Sequence, residues 1–132
     1  MKTINVVAAV IQYEDQFLCV QRGENSKEYI HKKFEFPGGK VEEGESSTTA
    51  LQREIREELH MDIEVHEHLI TVDHTYPDFR IIMETYRCEC VDPQFELTEH
   101  LQGLWLTPSE MHTLDWAAAD LPIVALLTQR PA

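Results

Sequence analysis

Hydrophobic positions along the chain follow two rhythms. Residues 4–13 (INVVAAVIQY) and 16–22 (QFLCVQR) are short apolar, β-branched runs separated by Glu14-Asp15, which predicts a hairpin. Residues 34–36 read as a short strand that Pro37 ends. Residues 62–72 (DIEVHEHLITV) alternate with a period of two: Ile63, Val65, Glu67 and Leu69 share one face, Glu64, His66, His68 and Ile70 the other. A turn at Tyr76-Pro77-Asp78 leads into a second long strand, 79–91, and 103–107 (GLWLT) is one more.

The helical rhythm occurs in two places. Leu51, Ile55 and Leu59 recur every four residues, with Ser46 placed to cap the helix start. Residues 121–128 (LPIVALLT) form an apolar terminal helix with Pro122 near its start, and 108–112 a short helix opening on proline. A polar loop fills 23–33, and 92–98 and 114–119 are further loops. No linker, repeat or low-complexity stretch interrupts residues 1–132. The expectation is one α/β domain with a mixed β-sheet sandwiched between α-helices.

The chemistry concentrates beside the first helical stripe. At roughly 100° per residue, Glu54, Glu57 and Glu58 share one helix face, about a quarter turn from Leu51, Ile55 and Leu59. Like charges spaced by four residues destabilise an isolated helix, so something must offset them. A hard divalent cation is the natural partner of carboxylate oxygens, and Mg²⁺ takes one or two carboxylates together with waters and substrate phosphates. Pro37-Gly38-Gly39 ahead of the helix lets backbone approach a ligand closely.

Residues 38–61 (GGKVEEGESSTTALQREIREELHM) resemble the signature box of the Nudix hydrolases, MutT-like subgroup. That box runs Gly, five residues, Glu, seven residues, then Arg-Glu-apolar-x-Glu-Glu-x-Gly-apolar. Gly39, Glu45, Arg53, Glu54, Ile55, Glu57, Glu58 and Met61 fill it, and His60 stands where the family has Gly. A residue just past the last helical turn usually takes a left-handed conformation, so His60 is expected at positive φ with a modest stability cost and an intact site.

The resemblance implies the Nudix fold and hydrolysis of a nucleoside diphosphate linked to another group. It implies Mg²⁺, with Mn²⁺ able to substitute, held by Glu54, Glu57, Glu58 and the backbone carbonyl of Gly38. Glu99, six residues before Trp105, would be a further ligand or base. A water deprotonated by Glu54 or Glu99 would attack phosphorus, while Arg53 and Glu45 orient the carboxylates. EFPGGKVE (35–42), Glu99-His100 and AADLP (118–122) resemble the CTP pyrophosphohydrolases of this family. Asp120 falls where that group reads the base, as an acceptor from the cytosine amine. Arg22, Glu35, Phe36, Lys40 and Arg80 complete the expected substrate contacts, with an edge salt bridge as the alternative for Arg80. Lys33 is a further candidate for phosphate, and Phe36, Tyr76 or Phe79 for stacking or core packing. Other Nudix specificities, such as 8-oxo-dGTP, and a non-catalytic nucleotide-binding module are the alternatives. The intact carboxylate set speaks against the module.

Composition narrows the rest. A net charge of −13 argues against capture of long nucleic acid and leaves a small phosphorylated substrate open, since bound cations reverse the local field. Cys19, Cys88 and Cys90 have no C-x-x-C spacing and read as small buried hydrophobes. His66 and His68 could ligate a metal from one strand face, but with no third soft ligand nearby they read as a solvated face. No apolar run reaches the ~18 residues of a membrane span, and the N-terminus reads as a strand and not a signal peptide. A cytoplasmic monomer or homodimer is expected.

Overall fold

The structure, a computed structural model, describes residues 1–129. Its elements in chain order are strand β1 (Lys2–Tyr13), β2 (Gln16–Gln21), β3 (Phe34–Glu35), β4 (Gly38–Lys40), helix α1 (Ser47–Leu59), β5 (Glu64–Thr75), β6 (Phe79–Glu89), β7 (Gln102–Leu106) and helix α2 (Leu121–Gln129). Short 3-10 turns at Pro108–Thr113 and Ala118–Asp120 precede α2. Among the described residues the seven strands join in one mixed sheet whose main order is β3-β2-β1-β6-β5, with β4 on β1 and β7 on β2.

β1 is the axis. It runs parallel to β6 from Lys2↔Phe79 to Gln12↔Glu89, antiparallel to β4 at Val6–Ala8, and antiparallel to β2 at Gln12 and Tyr13. Its alternate residues feed two cores. Val7, Ala9 and Ile11 pack with Leu51, Ile55 and Leu59 of α1 on one side. Ala8 and Val10 pack with Phe36, Met111, Trp116, Ile123 and Leu127 on the other. An unbroken apolar run buried on both faces is what a central strand requires, and the two layers make the expected sandwich.

Two features go beyond the local pattern. Gly38-Gly39-Lys40 pairs as a strand with β1, and a Cβ on Gly38 would collide with the Val7 carbonyl and the Ala8 backbone. β5 does not keep a strict two-residue alternation. Its pairing with β6 shifts register between Val65 and His68 and again before Ile70, and such irregularities re-aim side chains.

Helix α1 is capped as its sequence suggests. The Ser46 hydroxyl accepts from the Thr49 N–H at 3.2 Å. His60 ends the helix at φ 53°, ψ 37°, its N–H donating to the Arg56 carbonyl at 3.1 Å. Its Nδ1 lies 2.6 Å from Glu96, an exposed pair worth little. His60→Gly should therefore stabilise the fold by about 1 kcal/mol, the order of the left-handed penalty for a residue with a Cβ. Thermal unfolding checks this, and a lower melting temperature would overturn the backbone reading. Gly38→Ala should unfold the protein or lower its melting temperature severely, because the obstacle is backbone that has nowhere to move.

Candidate active site

The carboxylate face of α1 is organised by Arg53. Its Nε donates to Glu45 Oε2 at 2.8 Å and its Nη2 to Glu45 Oε1 at 3.0 Å, a forked pair. Nη1 donates to Glu54 at 3.0 Å and Glu57 at 3.3 Å, and Nη2 also reaches the Lys40 carbonyl at 3.1 Å. The Arg53 hydrogen bonds hold the Glu45 carboxyl below the usual range. Glu54 is raised by burial, which outweighs the Arg53 contact. Its carboxylate lies under Gly39, where an added Cβ would strike it.

Glu58 is the pressured member. Burial, then the charges of Glu54, Glu35 and Glu99, push its carboxyl up to about 8, and it shares a hydrogen bond with Glu54. Its Oε2 is buried with no hydrogen-bond partner. Glu57 stays largely exposed. Among the described residues no three acidic, histidine or cysteine side chains stand ready-gathered for a metal. The donor set nevertheless fits Mg²⁺: hard oxygens, mutual repulsion and one orphaned carboxylate oxygen, all relieved by a cation.

Glu99 reaches this cluster through a contact invisible in sequence. Thr98 caps the C-terminus of α1, its hydroxyl donating to the Glu58 carbonyl at 2.9 Å and its N–H to the same oxygen at 3.3 Å. Leu101 N–H then bonds Gln21 of β2 at 2.9 Å. The pinned stretch between them carries Glu99 and His100 into the wall of a cleft of about 590 Å³. The cleft is lined by Gly38, Gly39, Lys40 and Glu58 and also by Arg22, Glu35, Phe36, Tyr76 and Asp120. That volume is in the range of small-molecule sites.

Within this lining Asp120 is 4% exposed. Its Oδ1 accepts the Phe36 N–H at 3.0 Å. Burial, then the charge of Glu35, raises its carboxyl well above the ordinary range. The Phe36 ring stacks on Trp116, centroids 4.9 Å apart, so one of its faces is spent on the core. Tyr76 accepts the Ala119 N–H at 3.0 Å and stacks on Tyr29. Phe79 faces the cleft with the Lys27 ammonium 5.0 Å from its centroid.

Two expected cations are elsewhere. Arg80 pairs with Asp73 across β5 and β6, Nε to Oδ1 at 2.8 Å, and does not line the cleft although its neighbours Phe79 and Ile81 do. Strand alternation puts it on the opposite face, so the edge salt bridge is the role the structure gives it. Lys33 is spent on Asp115 at 2.9 Å, also outside the cleft lining. Arg22 and Lys40 do line it, Arg22 with its Nη1 3.3 Å from Glu35. His66 and His68 lie among Glu64, Glu84 and Glu89 away from the cleft. Cys19 and Cys88 are buried, their thiols pushed up to about 12 by desolvation. Sequence reasoning missed Thr98 and His100 as organisers, because their partners lie 40 and 65 residues away.

The fold and this carboxylate helix are those of the Nudix hydrolases, and the chain belongs to that family: the NUDIX domain profile matches residues 6–126. It is a hydrolase acting on phosphoric anhydrides, a Nudix pyrophosphohydrolase. Over its full length it is 34% identical to the CTP pyrophosphohydrolase of Escherichia coli (strain K12), covering 99% of that protein. It is 25% identical to the 8-oxo-dGTP diphosphatase of the same organism, with 96% of this chain and 98% of that one covered. The solution structure of the E. coli ORF135 protein superposes with TM-score 0.80 at 34% identity, covering 100% of this chain and 96% of that one. A MutT protein from Methanosarcina mazei superposes with TM-score 0.81 at 24% identity over 93% and 90% of the two chains, a likeness of fold. No helix among the described residues is long and apolar enough to cross a membrane.

The raised Glu58 carboxyl has a signed consequence. The folded state holds this proton up to about pH 8 and the ordinary value is 4.5, so the stability it contributes is present below pH 4.5 and lost as pH rises to about 8. Metal-free protein should melt at falling temperature across that window, and Glu58→Gln should flatten the fall. Mg²⁺ should raise the melting temperature at pH 8 in the wild type more than in Glu58→Gln. An identical pH profile in the two proteins would refute the assignment.

Proposed function

We propose that this enzyme hydrolyses CTP, dCTP or a modified cytosine nucleotide to the monophosphate and pyrophosphate, with Mg²⁺, or Mn²⁺ in its place. The observation that carries the reading is Asp120, a buried carboxyl in the lining of the same cleft as Glu58. Burial raises this carboxyl, and its oxygens accept hydrogen bonds whether or not the proton is held. With Oδ1 on the Phe36 N–H, the second oxygen is an acceptor for the exocyclic amine of cytosine, where the Asn amide would present a donor. The CTP pyrophosphohydrolase relative supports the same choice.

The remaining residues divide the work by charge. Glu54, Glu57, Glu58, Glu99 and the Gly38 carbonyl would hold the metal, which when bound supplies charge neutralisation for the phosphate oxygens. Arg53 and Glu45 fix the carboxylates, Glu54 or Glu99 takes the proton from the attacking water, and Arg22 and Lys40 meet phosphate. Phe79 offers a ring face to the base once Lys27 moves aside.

Pyrophosphate release with Mg²⁺ should favour cytosine nucleotides over 8-oxo-dGTP and nucleotide sugars. A preference for 8-oxo-dGTP would overturn the base reading and leave the catalytic site standing. Asp120→Asn should lower kcat/KM for the preferred cytosine nucleotide at least about 10-fold, since a site built to bond a base edge penalises a mismatched partner. Glu57→Gln should lower turnover at least about 100-fold with the fold intact, in line with losses at metal-site carboxylates. Wild-type rates in that variant would end the metal assignment.

A further inference from the structure

His100 is not part of the Nudix box, yet its side chain is only 6% exposed and it lines the cleft beside Glu99. Its Nε2 lies 3.2 Å from Glu35 Oε2. The other oxygen of the same carboxylate, Oε1, takes Arg22 Nη1 at 3.3 Å. Glu35 is therefore gripped from both sides. Glu35 lines the cleft together with Glu58 and Asp120, and its charge acts on both carboxyls.

The proton arrangement follows from the partners. Glu35, paired with a guanidinium, accepts, so Nε2 of His100 carries the N–H that donates. Nδ1 is buried without a partner. A proton there would be a buried donor with no acceptor, the costlier alternative. His100 belongs to the stretch that Thr98 anchors to α1 and Leu101 anchors to β2.

We infer that His100 is a positioning residue for substrate recognition: its Nε2–H fixes the Glu35 carboxylate against the nucleoside part of the bound nucleotide. The inference rests on the nucleotide reading above but not on which base is preferred. Glu35, being anionic, is suited to amine and hydroxyl donors of the nucleoside and is repelled by the phosphates. Loss of His100 should loosen ground-state and transition-state binding together, raising KM while kcat holds.

Reach makes the test specific. The amide nitrogen of Gln can stand where Nε2 stands, whereas that of Asn corresponds to Nδ1 and falls short. With whichever nucleotide the wild type cleaves best, His100→Gln should keep KM within about 3-fold, and His100→Asn should raise it about 10-fold, the lower range for a hydrogen bond to a charged group. Both should keep kcat within about 2-fold, with melting temperature measured in parallel. In a cycle with Glu35→Gln, the KM effect of His100→Asn should largely vanish. Equal KM for the Gln and Asn variants, additive effects with Glu35→Gln, or a fall in kcat at constant KM would overturn the inference. A wild-type preference for 8-oxo-dGTP would sink the cytosine reading alone, because the same comparison then decides the role of His100 on that nucleotide. Turnover of no nucleotide would remove the substrate that Glu35 is inferred to meet and would overturn both.

Discussion

Arg53 lies among Glu42, Glu45, Glu54 and Glu57, with its Nη2 on the Lys40 carbonyl, and the rest of the site depends on that placement. Carboxylates three and four residues apart on one helix repel. A guanidinium can answer several at once because its donors form a planar fork. The same side chain ties α1 to β4, so the charge pattern and the packing are one arrangement. Removing a partner from such a partly buried set leaves uncompensated charge, which costs far more than the pair contributes.

What Arg53 does not reach is left poised. Glu58 sits behind it among Glu54, Glu35 and Glu99, raised by burial and by like charge. Asp120 is raised by burial and by the charge of Glu35. The cleft thus carries two carboxyls displaced in the same direction by burial and like charge. For an acidic chain of net charge −13, bound cations would be what inverts the local field toward a phosphorylated substrate.

The sheet supplies the rigidity for this. β1 is bonded to β6 along nearly its whole length and to β4 and β2 on its other edge, and small residues at Ala8 and Ala9 let both layers close on it. Gly38 is pressed against the backbone at Val7 and Gly39 against the Glu54 carboxylate, so the two glycines set how closely β4 approaches β1 and α1. The stretch holding Glu99 and His100 is fastened to α1 at one end and β2 at the other.

The sequence by itself determined the α1 carboxylate face, the Ser46 cap, the left-handed His60, the glycines and the two-layer α/β plan, because each rests on spacings of a few residues that backbone geometry converts directly into faces. It also carried the family, through a dense motif at fixed intervals. Tertiary structure alone decided which cations serve the cleft. Arg22 stays and Arg80 and Lys33 go to Asp73 and Asp115. It alone showed the register shifts in β5 and the joining of Glu99 to α1 through Thr98. The long-range contacts in the cleft wall, Phe36 to Asp120 across 84 residues and Glu35 to His100 across 65, leave no local periodicity. Such pairs form where the sheet brings distant strands together, and the chain's local pattern has no means of encoding them singly.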